Sequence, residues 1–332
     1  MGQARERIQL RPEGLYCPAG DFHIDPWLPV PHAVITHGHG DHARVGMGQY
    51  HCTTGTAPIL RWRLGEQHIV EHAYGQAFEM NGVRVSLHPA GHVLGSAQVR
   101  VEVDGEVWVA SGDYKRQSDP TCEPFEDVPC DVFITEATFA LPVYRWPHTR
   151  EVVAQIVQWR RACEARNEAA VLYCYALGKA QRVLAELLAF DEPPPLLHGA
   201  IAAGVEVYRA CGVAMASTEL VSEQGARAEL AGRLVIAPPS AVGSPWLRRF
   251  RRAQQGFASG WMRIRGNRRR RNFDRGFVIS DHADWPDLLR TIEQTGARRV
   301  LATHGTTDAL VRTLSERGID AQALRTGFGD DA

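Results

Sequence analysis

The sequence predicts an α/β fold, and two features of its patterning support that prediction. Short apolar runs of four or five residues recur along the chain, as expected of strands that are buried on both faces. Between them lie longer segments in which apolar residues repeat at helical spacing. With 332 residues and 44% hydrophobic content, the chain is long enough for one large domain or for a core domain with a smaller insert.

Five of the apolar runs end just before a residue that could bind a metal or transfer a proton. They are AVIT before His37, VWVAS before Asp113, VFIT before Glu136, FVIS before Asp281 and His282, and VLAT before His304. Functional groups in α/β folds gather beyond the carboxyl ends of such strands. We therefore expect five strands to deliver these side chains to one rim.

The pattern changes between Pro147 and about Asn272, where helix and strand segments alternate without such strand ends. We predict a core in two parts, 1–146 and 273–332, interrupted by an inserted domain at 147–272. Within the insert the pattern predicts helices at 150–166 and 179–190, strands at 169–177 and 234–237, and an arginine-rich helix near Trp246. In the second part of the core it predicts a strand at 277–280, a helix at 285–294, a strand ending at Thr303 and a helix at 308–317.

The seven cysteines are scattered and never form a Cys-x-x-Cys pair, so we expect reduced thiols rather than a disulfide framework or a zinc ribbon. The amino-terminal residues are polar, and no later stretch approaches the roughly eighteen apolar residues of a membrane span. These features indicate a soluble cytoplasmic protein with no membrane partner.

The net charge of −1 conceals a strongly basic segment. Residues 248–275 contain eleven arginines and a single carboxylate, Asp274, which gives this segment a net charge of +10. Such a concentration suits a polyanion such as nucleic acid. Within it we predict that Arg268, Arg269, Arg270 and Arg271 contact nucleic acid; the alternative is a solvated arginine-rich loop.

The strongest local motif is His37-Gly38-His39-Gly40-Asp41-His42, which places four potential ligands within six residues at the exit of a strand. Neutral imidazoles and carboxylates are ligands that zinc, iron and manganese take in proteins. In an extended loop His37 and His39 fall on one side, while a turn begun at Asp41 aims Asp41 and His42 at a neighbouring point. One stretch could thus supply two metals; a histidine-rich loop with no ligand role is the alternative.

Three residues elsewhere complete two metal sites. One site would comprise His37, His39, His92 and Asp113, and the other Asp41, His42, His304 and Asp113. Metals about 3.5–4 Å apart can share a bridging water, lower its pKa towards neutrality and clamp the oxygens of a phosphoryl group. We therefore predict two divalent ions, zinc or alternatively manganese, with Asp113 as the bridge. Asp25 either orients a ligand histidine from behind or simply forms a turn before Pro26.

These residues resemble a known superfamily. His-x-His-x-Asp-His with a later histidine and aspartate is the metallo-β-lactamase signature, and Glu136 in ITEATF, His282 in ISDHADW and His304 in ATHG look like the three additional motifs of the β-CASP nucleases. The stretches GLYCPAGDFHIDPW and AVITHGHGDHARVG are similar to those of bacterial ligase-associated DNA exonucleases, relatives of mRNA 3′-end processing factors. The resemblance spans nearly the whole chain and implies an αββα sandwich with an inserted β-CASP-type α/β cap domain.

The resemblance also implies roles for individual residues. In relatives, the histidine that matches His282 contacts the scissile phosphate. We therefore expect His282 to act as general acid and Glu136 to hold its ring in the protonated form, and together with Asp41 these are the predicted catalytic residues. The segment LGKAQR looks like a cap-domain element in which Lys179 and Arg182, at a helix amino terminus, would hold a backbone phosphate.

The prediction for the whole chain is a two-metal phosphodiesterase acting on nucleic acid. Its foremost form is a DNA exonuclease in repair that uses a metal-bridging hydroxide as nucleophile and is functionally associated with a DNA ligase and a helicase. An RNA-processing nuclease is the alternative, because the last motif tends to be histidine in RNA-processing relatives and apolar in eukaryotic DNA-repair relatives. A small-molecule metallohydrolase would have no use for the basic segment, and a noncatalytic nucleic-acid-binding module would be expected to lack ligands.

Overall fold

The computed structural model describes residues 6–224, 230–264, 266 and 273–327. Contacts divide the chain into two compact units. The first contains the residues up to Ser118, Cys122–Val143 and the residues from His282 onward, and the second contains Asp119–Thr121 and Tyr144–Asp281. The predicted insert, 147–272, lies within the longer interval of the second unit, and its identity as a cap domain stays a prediction.

The elements of both units follow in chain order. The strands are β1 (Gln9–Arg11), β2 (Gly14–Cys17), β3 (Phe22–Ile24), β4 (His32–Val34), β5 (Gln49–Thr53), β6 (Ile69–His72), β7 (Phe78–Met80), β8 (Val83–Pro89), β9 (Ala97–Val103), β10 (Glu106–Ala110), β11 (Val132–Ala137), β12 (Ala169–Tyr173), β13 (Leu196–Leu197), β14 (Glu219–Leu220), β15 (Leu234–Ala237), β16 (Ala253–Ala258), β17 (Arg275–Phe277), β18 (Arg299–Gly305) and β19 (Asp320–Ala323). The α-helices are α1 (Ala57–Leu64), α2 (Thr149–Glu164), α3 (Lys179–Leu187), α4 (Gly199–Ala210), α5 (Trp285–Thr295) and α6 (Thr307–Glu316). Short 3-10 helices lie at Val221–Glu223, Pro239–Ala241, Pro245–Arg249 and Gly260–Arg263.

The first unit contains two sheets. In the first sheet the strands β1 to β6 are neighbours in chain order, antiparallel from β1 to β3 and parallel from β3 to β6. The second sheet has the order β19-β18-β11-β10-β9-β8-β7, antiparallel from β7 to β10 and parallel from β10 to β19. The parallel part brings the carboxyl ends of β10, β11 and β18 to the same edge of the second sheet.

The first unit is layered as helix, sheet, sheet and helix. Buried apolar side chains fill the space between the sheets, among them Phe22 from the first sheet and Val99 and Trp108 from the second. The opposite face of the first sheet packs on α1 through Tyr50 and Leu60, and α5 and α6 cover the opposite face of the second sheet. Every residue of β11 is buried, since both of its faces are covered, which is what its unbroken apolar run predicts.

The second unit is built around one parallel sheet with the order β14-β13-β15-β12-β16-β17. Helices α2, α3 and α4 pack on one face of this sheet, where Leu172 and Ile236 lie. Val171 and Tyr173 point to the other face because successive residues of a strand alternate in direction. Both faces of the sheet are therefore covered by apolar side chains.

The predicted elements agree with the structure to within a few residues at most positions, and LVIA forms β15 with the predicted bounds. The predicted strand at 277–280 is wrong: β17 ends at Phe277, because its pairing with β16 stops there and the Phe277 carbonyl then accepts bonds from Ser259 and Ile279. The arginine-rich segment near Trp246 forms a 3-10 helix of five residues. The five apolar runs lie in three sheets rather than one, but the side chains that follow them still come together, namely His37, Asp113, Glu136, His282 and His304.

The described ranges contain no helix that is both long enough and apolar enough to cross a membrane. None of the seven cysteines, all of them described, forms a disulfide, and four are buried. The expectation that no disulfide framework exists is confirmed.

Candidate metal centre

The predicted metal-binding loop, residues 37–42, leaves the first sheet just after β4. The N–H of Ile35 still donates to the carbonyl of His51 at 2.8 Å. A turn then closes the loop, since the N–H of Ala43 donates to the carbonyl of His39 at 2.8 Å. Asp41 lies in this turn, and the side chains of His37 and His42 are buried. The loop therefore directs its histidines into the first unit.

Three other segments bring the remaining predicted ligands to the loop. His92 lies in the turn between β8 and β9, Asp113 lies just beyond β10, and His304 lies in β18. Gly112 has a φ of +55°, and a Cβ there would be 2.7 Å from the side chain of Thr36, so only glycine allows this approach. His304 has a φ of +59°, a backbone conformation that residues other than glycine rarely adopt and that often marks a functional site.

All seven predicted ligands come together in two groups. Within each group the ligand atoms lie within 4.8 Å of one another; the first is His37, His39, His92 and Asp113, and the second is Asp41, His42 and His304. Oδ2 of Asp113 lies 3.5 Å from Nε2 of His37 and 3.6 Å from Nε2 of His42. The Asp113 carboxylate therefore lies between the two groups, where a bridging ligand is expected.

The donor atoms of the two groups fit divalent metal ions. Both carboxylate oxygens of Asp113 and Oδ2 of Asp41 are buried, and no described residue donates a hydrogen bond to them. Burying a carboxylate oxygen is costly unless a donor or a cation compensates it. A mixed set of imidazoles and carboxylates suits zinc or manganese. These residues would therefore hold such ions, and their role as ligands stays a prediction.

The pKa values of two buried histidines show where the site favours positive charge. Burial disfavours a proton on His42, but the carboxylates of Asp113, Asp25 and Asp41 outweigh burial and raise the pKa of His42 to about 10. Burial lowers the pKa of His37 well below its usual value, and four neighbouring histidines lower it further. A ligating imidazole must be neutral, so metal binding would displace the proton from His42.

Asp25 supports the loop from behind. Its carboxylate accepts hydrogen bonds from the N–H of Thr36 at 2.7 Å and from the Thr36 hydroxyl at 2.5 Å, and it lies 2.7 Å from Nδ1 of His42. Since Nδ1 faces Asp25, it is Nε2 of His42 that faces the carboxylates of Asp113 and Asp41, at 3.6 and 3.5 Å. This geometry favours the predicted orienting role over a simple turn.

Glu136 and His282 form a buried pair beside the ligands. Nδ1 of His282 lies 2.8 Å from Oε2 of Glu136, and the other carboxylate oxygen accepts a hydrogen bond from the N–H of Tyr114 at 2.9 Å. Burial opposes ionisation of Glu136, but the charge of His282 and these hydrogen bonds outweigh it and lower the pKa of Glu136. Nδ1 of His282 is also 4.0 Å from Oδ2 of Asp113, so the pair adjoins the first ligand group.

Lys179 and Arg182 lie near the amino terminus of α3, but their charges are paired inside the second unit. Nζ of Lys179 lies 3.1 Å from Oδ2 of Asp281. Nε of Arg182 lies 3.3 Å from Oδ2 of Asp119, and its Nη1 donates to the carbonyl of Ser280 at 2.9 Å. These buried ion pairs do not favour the predicted contact of the two side chains with a phosphate, which stays a prediction.

The basic segment is described only in part. The predicted contacts Arg268, Arg269, Arg270 and Arg271 lie outside the described residues. Arg248, Arg249 and Arg251 are exposed at and just after the 3-10 helix Pro245–Arg249, and no described residue forms an ion pair with them. Their guanidinium groups therefore face the solvent.

Sequence reasoning did not single out Thr36 and Tyr114, which hold the carboxylates of Asp25 and Glu136 in place. Each lies directly beside a predicted ligand in the chain, and that adjacency was the available signal. The Tyr114 contact is made by its backbone N–H, which no side-chain pattern indicates.

Comparison with known proteins finds similarity to parts of several longer proteins. No protein-family model matches it. A curated protein of Opitutus terrae named "Probable DNA ligase" is 33% identical to it over 316 residues, which cover 94% of this chain and 30% of that protein. "Cleavage and polyadenylation specificity factor subunit 3" of Dictyostelium discoideum is 34% identical over 132 residues, covering 38% of this chain and 16% of that protein. These similarities are consistent with the resemblance of the sequence to the β-CASP branch of the metallo-β-lactamase superfamily.

A further relative matches a similar share of the chain. "Endoribonuclease YSH1" of Kluyveromyces lactis is 31% identical over 113 residues, which cover 33% of this chain and 14% of that protein. The chain thus spans less than a third of the length of each of these three relatives. A crystal structure of a protein of unknown function from Enterococcus faecalis V583 matches 88% of this chain and 78% of its own, with a TM-score of 0.59 and 12% identity. At that identity the likeness concerns the fold alone.

Proposed function

We propose that this protein is a two-metal-dependent nuclease and, more specifically, a DNA exonuclease that acts in DNA repair. The observation that carries the proposal is the convergence of two ligand groups on Asp113, beside the pair formed by Glu136 and His282. The relative named as a DNA ligase supports DNA as the substrate, since its similarity extends over 94% of this chain. Its name also supports a functional association with a ligase, whereas the association with a helicase rests on the sequence resemblance.

The architecture supports the same proposal. We propose that the helix, sheet, sheet and helix layers of the first unit are the metallo-β-lactamase αββα sandwich, and that the second unit is the β-CASP-type cap domain. The ligands lie at loops and strand ends of the first unit, where α/β folds place their functional groups.

The residues of the first unit would divide the chemistry among them. When bound, two divalent ions, zinc or alternatively manganese, would supply an activated water and stabilise the charge that develops on the phosphate oxygens. Asp113 would join the two ligand groups, and Asp41 would serve the second group. Asp25 would keep the ring of His42 turned so that its Nε2 atom faces the other ligands.

His282 would act as the general acid. It would donate a proton to the oxygen that leaves the phosphorus atom, and the carboxylate of Glu136, 2.8 Å from Nδ1, would stabilise the protonated ring. A small-molecule metallohydrolase has no evident need for such a pair. The exposed guanidinium groups of Arg248, Arg249 and Arg251 also support a polyanionic substrate, because arginines bind backbone phosphates without regard to sequence.

An RNA-processing nuclease is the second candidate function. Two observations favour it: the last motif is a histidine, His304, whose ring belongs to the second ligand group, and the relatives include an endoribonuclease and a cleavage and polyadenylation specificity factor.

The test is the activity of metal-loaded protein on end-labelled single-stranded DNA and RNA of identical sequence. We expect stepwise, metal-dependent shortening of the DNA, and its loss in Asp113→Ala. The exposed carboxylate of Asp127, in the same unit, provides a matched control, since Asp127→Ala should leave cleavage unchanged. Cleavage of RNA alone would establish the second candidate, and no cleavage of either by a protein that carries its metals would refute a nuclease.

A further inference from the structure

Helix α1 packs on the metal-binding loop through two side chains that lie one turn apart, Ile59 and Arg63. A Cβ on Gly38 would lie 2.4 Å from Cγ2 of Ile59, which is fully buried. A Cβ on Gly40 would lie 3.1 Å from Nη2 of Arg63. The two glycines of the motif are therefore the positions at which the helix leaves no room, or little room, for a side chain.

Arg63 also bonds to the loop directly. Its Nη1 donates a hydrogen bond to the carbonyl of Gly38 at 2.5 Å. Gly38 joins His37 and His39, two ligands of the first group. The residue between these two ligands is thus held through its carbonyl by a guanidinium group from a residue 25 positions away in the sequence.

Among the residues that the structure describes, the guanidinium of Arg63 bonds only to the carbonyl of Gly38. It forms no ion pair with a described carboxylate, although burial lowers its pKa and only the negative charge of Asp41 acts in the opposite direction. A partly buried charge without a carboxylate partner weakens the fold unless its hydrogen bonds compensate it. Here the hydrogen bond goes to the Gly38 carbonyl of the metal-binding loop.

We propose that Arg63 is a positioning residue for the metal centre: together with Ile59 it fixes the peptide of Gly38, so that His37 and His39 enter the same ligand group. The role concerns metal affinity and rests on the proposed function only in requiring that this site bind metal. Groups that orient ligands from outside the coordination sphere change metal affinity by about 10- to 100-fold when they are removed.

Arg61 provides a matched control. It lies in the same last turn of α1, but its side chain is exposed and pairs with Glu71 at 2.5 Å, away from the loop. Substituting methionine for either arginine removes a charge and keeps a long apolar stem. Arg63→Lys keeps the charge and a single donor nitrogen but lacks the planar fork.

The experiment measures zinc affinity of the full chain by competition with a chromophoric chelator, and thermal unfolding of each metal-free variant. We expect Arg63→Met to weaken at least one zinc site by about 10- to 100-fold, Arg63→Lys to weaken it less, and Arg61→Met to match the unaltered protein. Wild-type zinc affinity in Arg63→Met, or an equal loss in Arg61→Met, would overturn the proposal.

Gly40→Ala tests the same contact if Arg63→Met does not fold. Its added methyl group would push the guanidinium aside by a few tenths of an ångström without removing it, so zinc binding should weaken, and unchanged binding would count against the proposal. Normal zinc binding without nucleic-acid cleavage would refute the proposed nuclease and leave the role of Arg63 intact. A chain that binds no divalent metal would refute both.

Discussion

A buried histidine pair in the first unit should make its stability fall at mildly acidic pH. Nδ1 of His51 lies 2.9 Å from Nε2 of His72, and the ring of His72 stacks on Phe78 with centroids 3.6 Å apart. Burial, and then the nearby histidines led by His72, lower the pKa of His51 to about 4. Burial lowers the pKa of His72 as well. Both rings are therefore held neutral in the folded protein.

The direction and size of the effect follow from the pKa of His51. In the unfolded chain a histidine has a pKa of about 6.5. As the pH falls below this value, the unfolded state therefore binds more protons than the folded state. The contribution of neutral His51 to the unfolding free energy is therefore fully present above this pH and is lost as the pH falls towards 4. At about pH 5 the loss from His51 alone is about 2 kcal/mol, and its limit at lower pH is about 3 kcal/mol.

The assay is urea unfolding of the metal-free protein at about pH 7.5 and about pH 5, for the unaltered chain, His51→Gln and His148→Gln. His148 is exposed at the start of α2 and serves as the control. The drop in unfolding free energy between the two pH values should be smaller in His51→Gln by about 2 kcal/mol and unchanged in His148→Gln. An equal drop in all three proteins would show that His51 is not held neutral.

Two predictions concern the proposed activity. Asp113→Ala should lose bound metal together with activity, because the Asp113 carboxylate lies between the two ligand groups. His282→Ala should keep its metal and lose about 10²- to 10⁴-fold in kcat. Metal analysis beside single-turnover kinetics checks both variants, and equal metal loss in the two would contradict a separate role for His282. Substituting glutamine for Arg248, Arg249 and Arg251 together should raise KM most at low salt. It should also reduce the slope of log KM against log salt by up to about 2. An unchanged slope would identify these arginines as a solvated surface.

The centre of the candidate metal site was predictable because its information is local. Four ligand-type residues lie within six positions of the motif that begins at His37, and strand geometry fixes the relative directions of neighbours in a chain. Local signals likewise located α5. The side chain of Asp284 accepts from the N–H of Asp287 at its start, and Gly296 takes the left-handed conformation at its end.

Contacts between distant residues depend on packing, which the sequence pattern does not encode position by position. The pattern could make Lys179 and Arg182 candidates for a phosphate, but only the tertiary structure shows Lys179 paired with Asp281. The end of β17 at Phe277 likewise depends on where its partner strand stops pairing, although the apolar run continues.

The sequence by itself thus determined which residues are candidate ligands, the alternation of strands and helices, and the pairing of Glu136 with His282 that the family resemblance implies. The tertiary structure decided which residues hold that chemistry in place. Thr36 bonds Asp25 from 11 positions away and Arg63 bonds Gly38 from 25 positions away. The physical reason is range: backbone propensity and side-chain alternation act over a few neighbouring residues, whereas support for a buried site comes from whichever segments the folded chain packs against it.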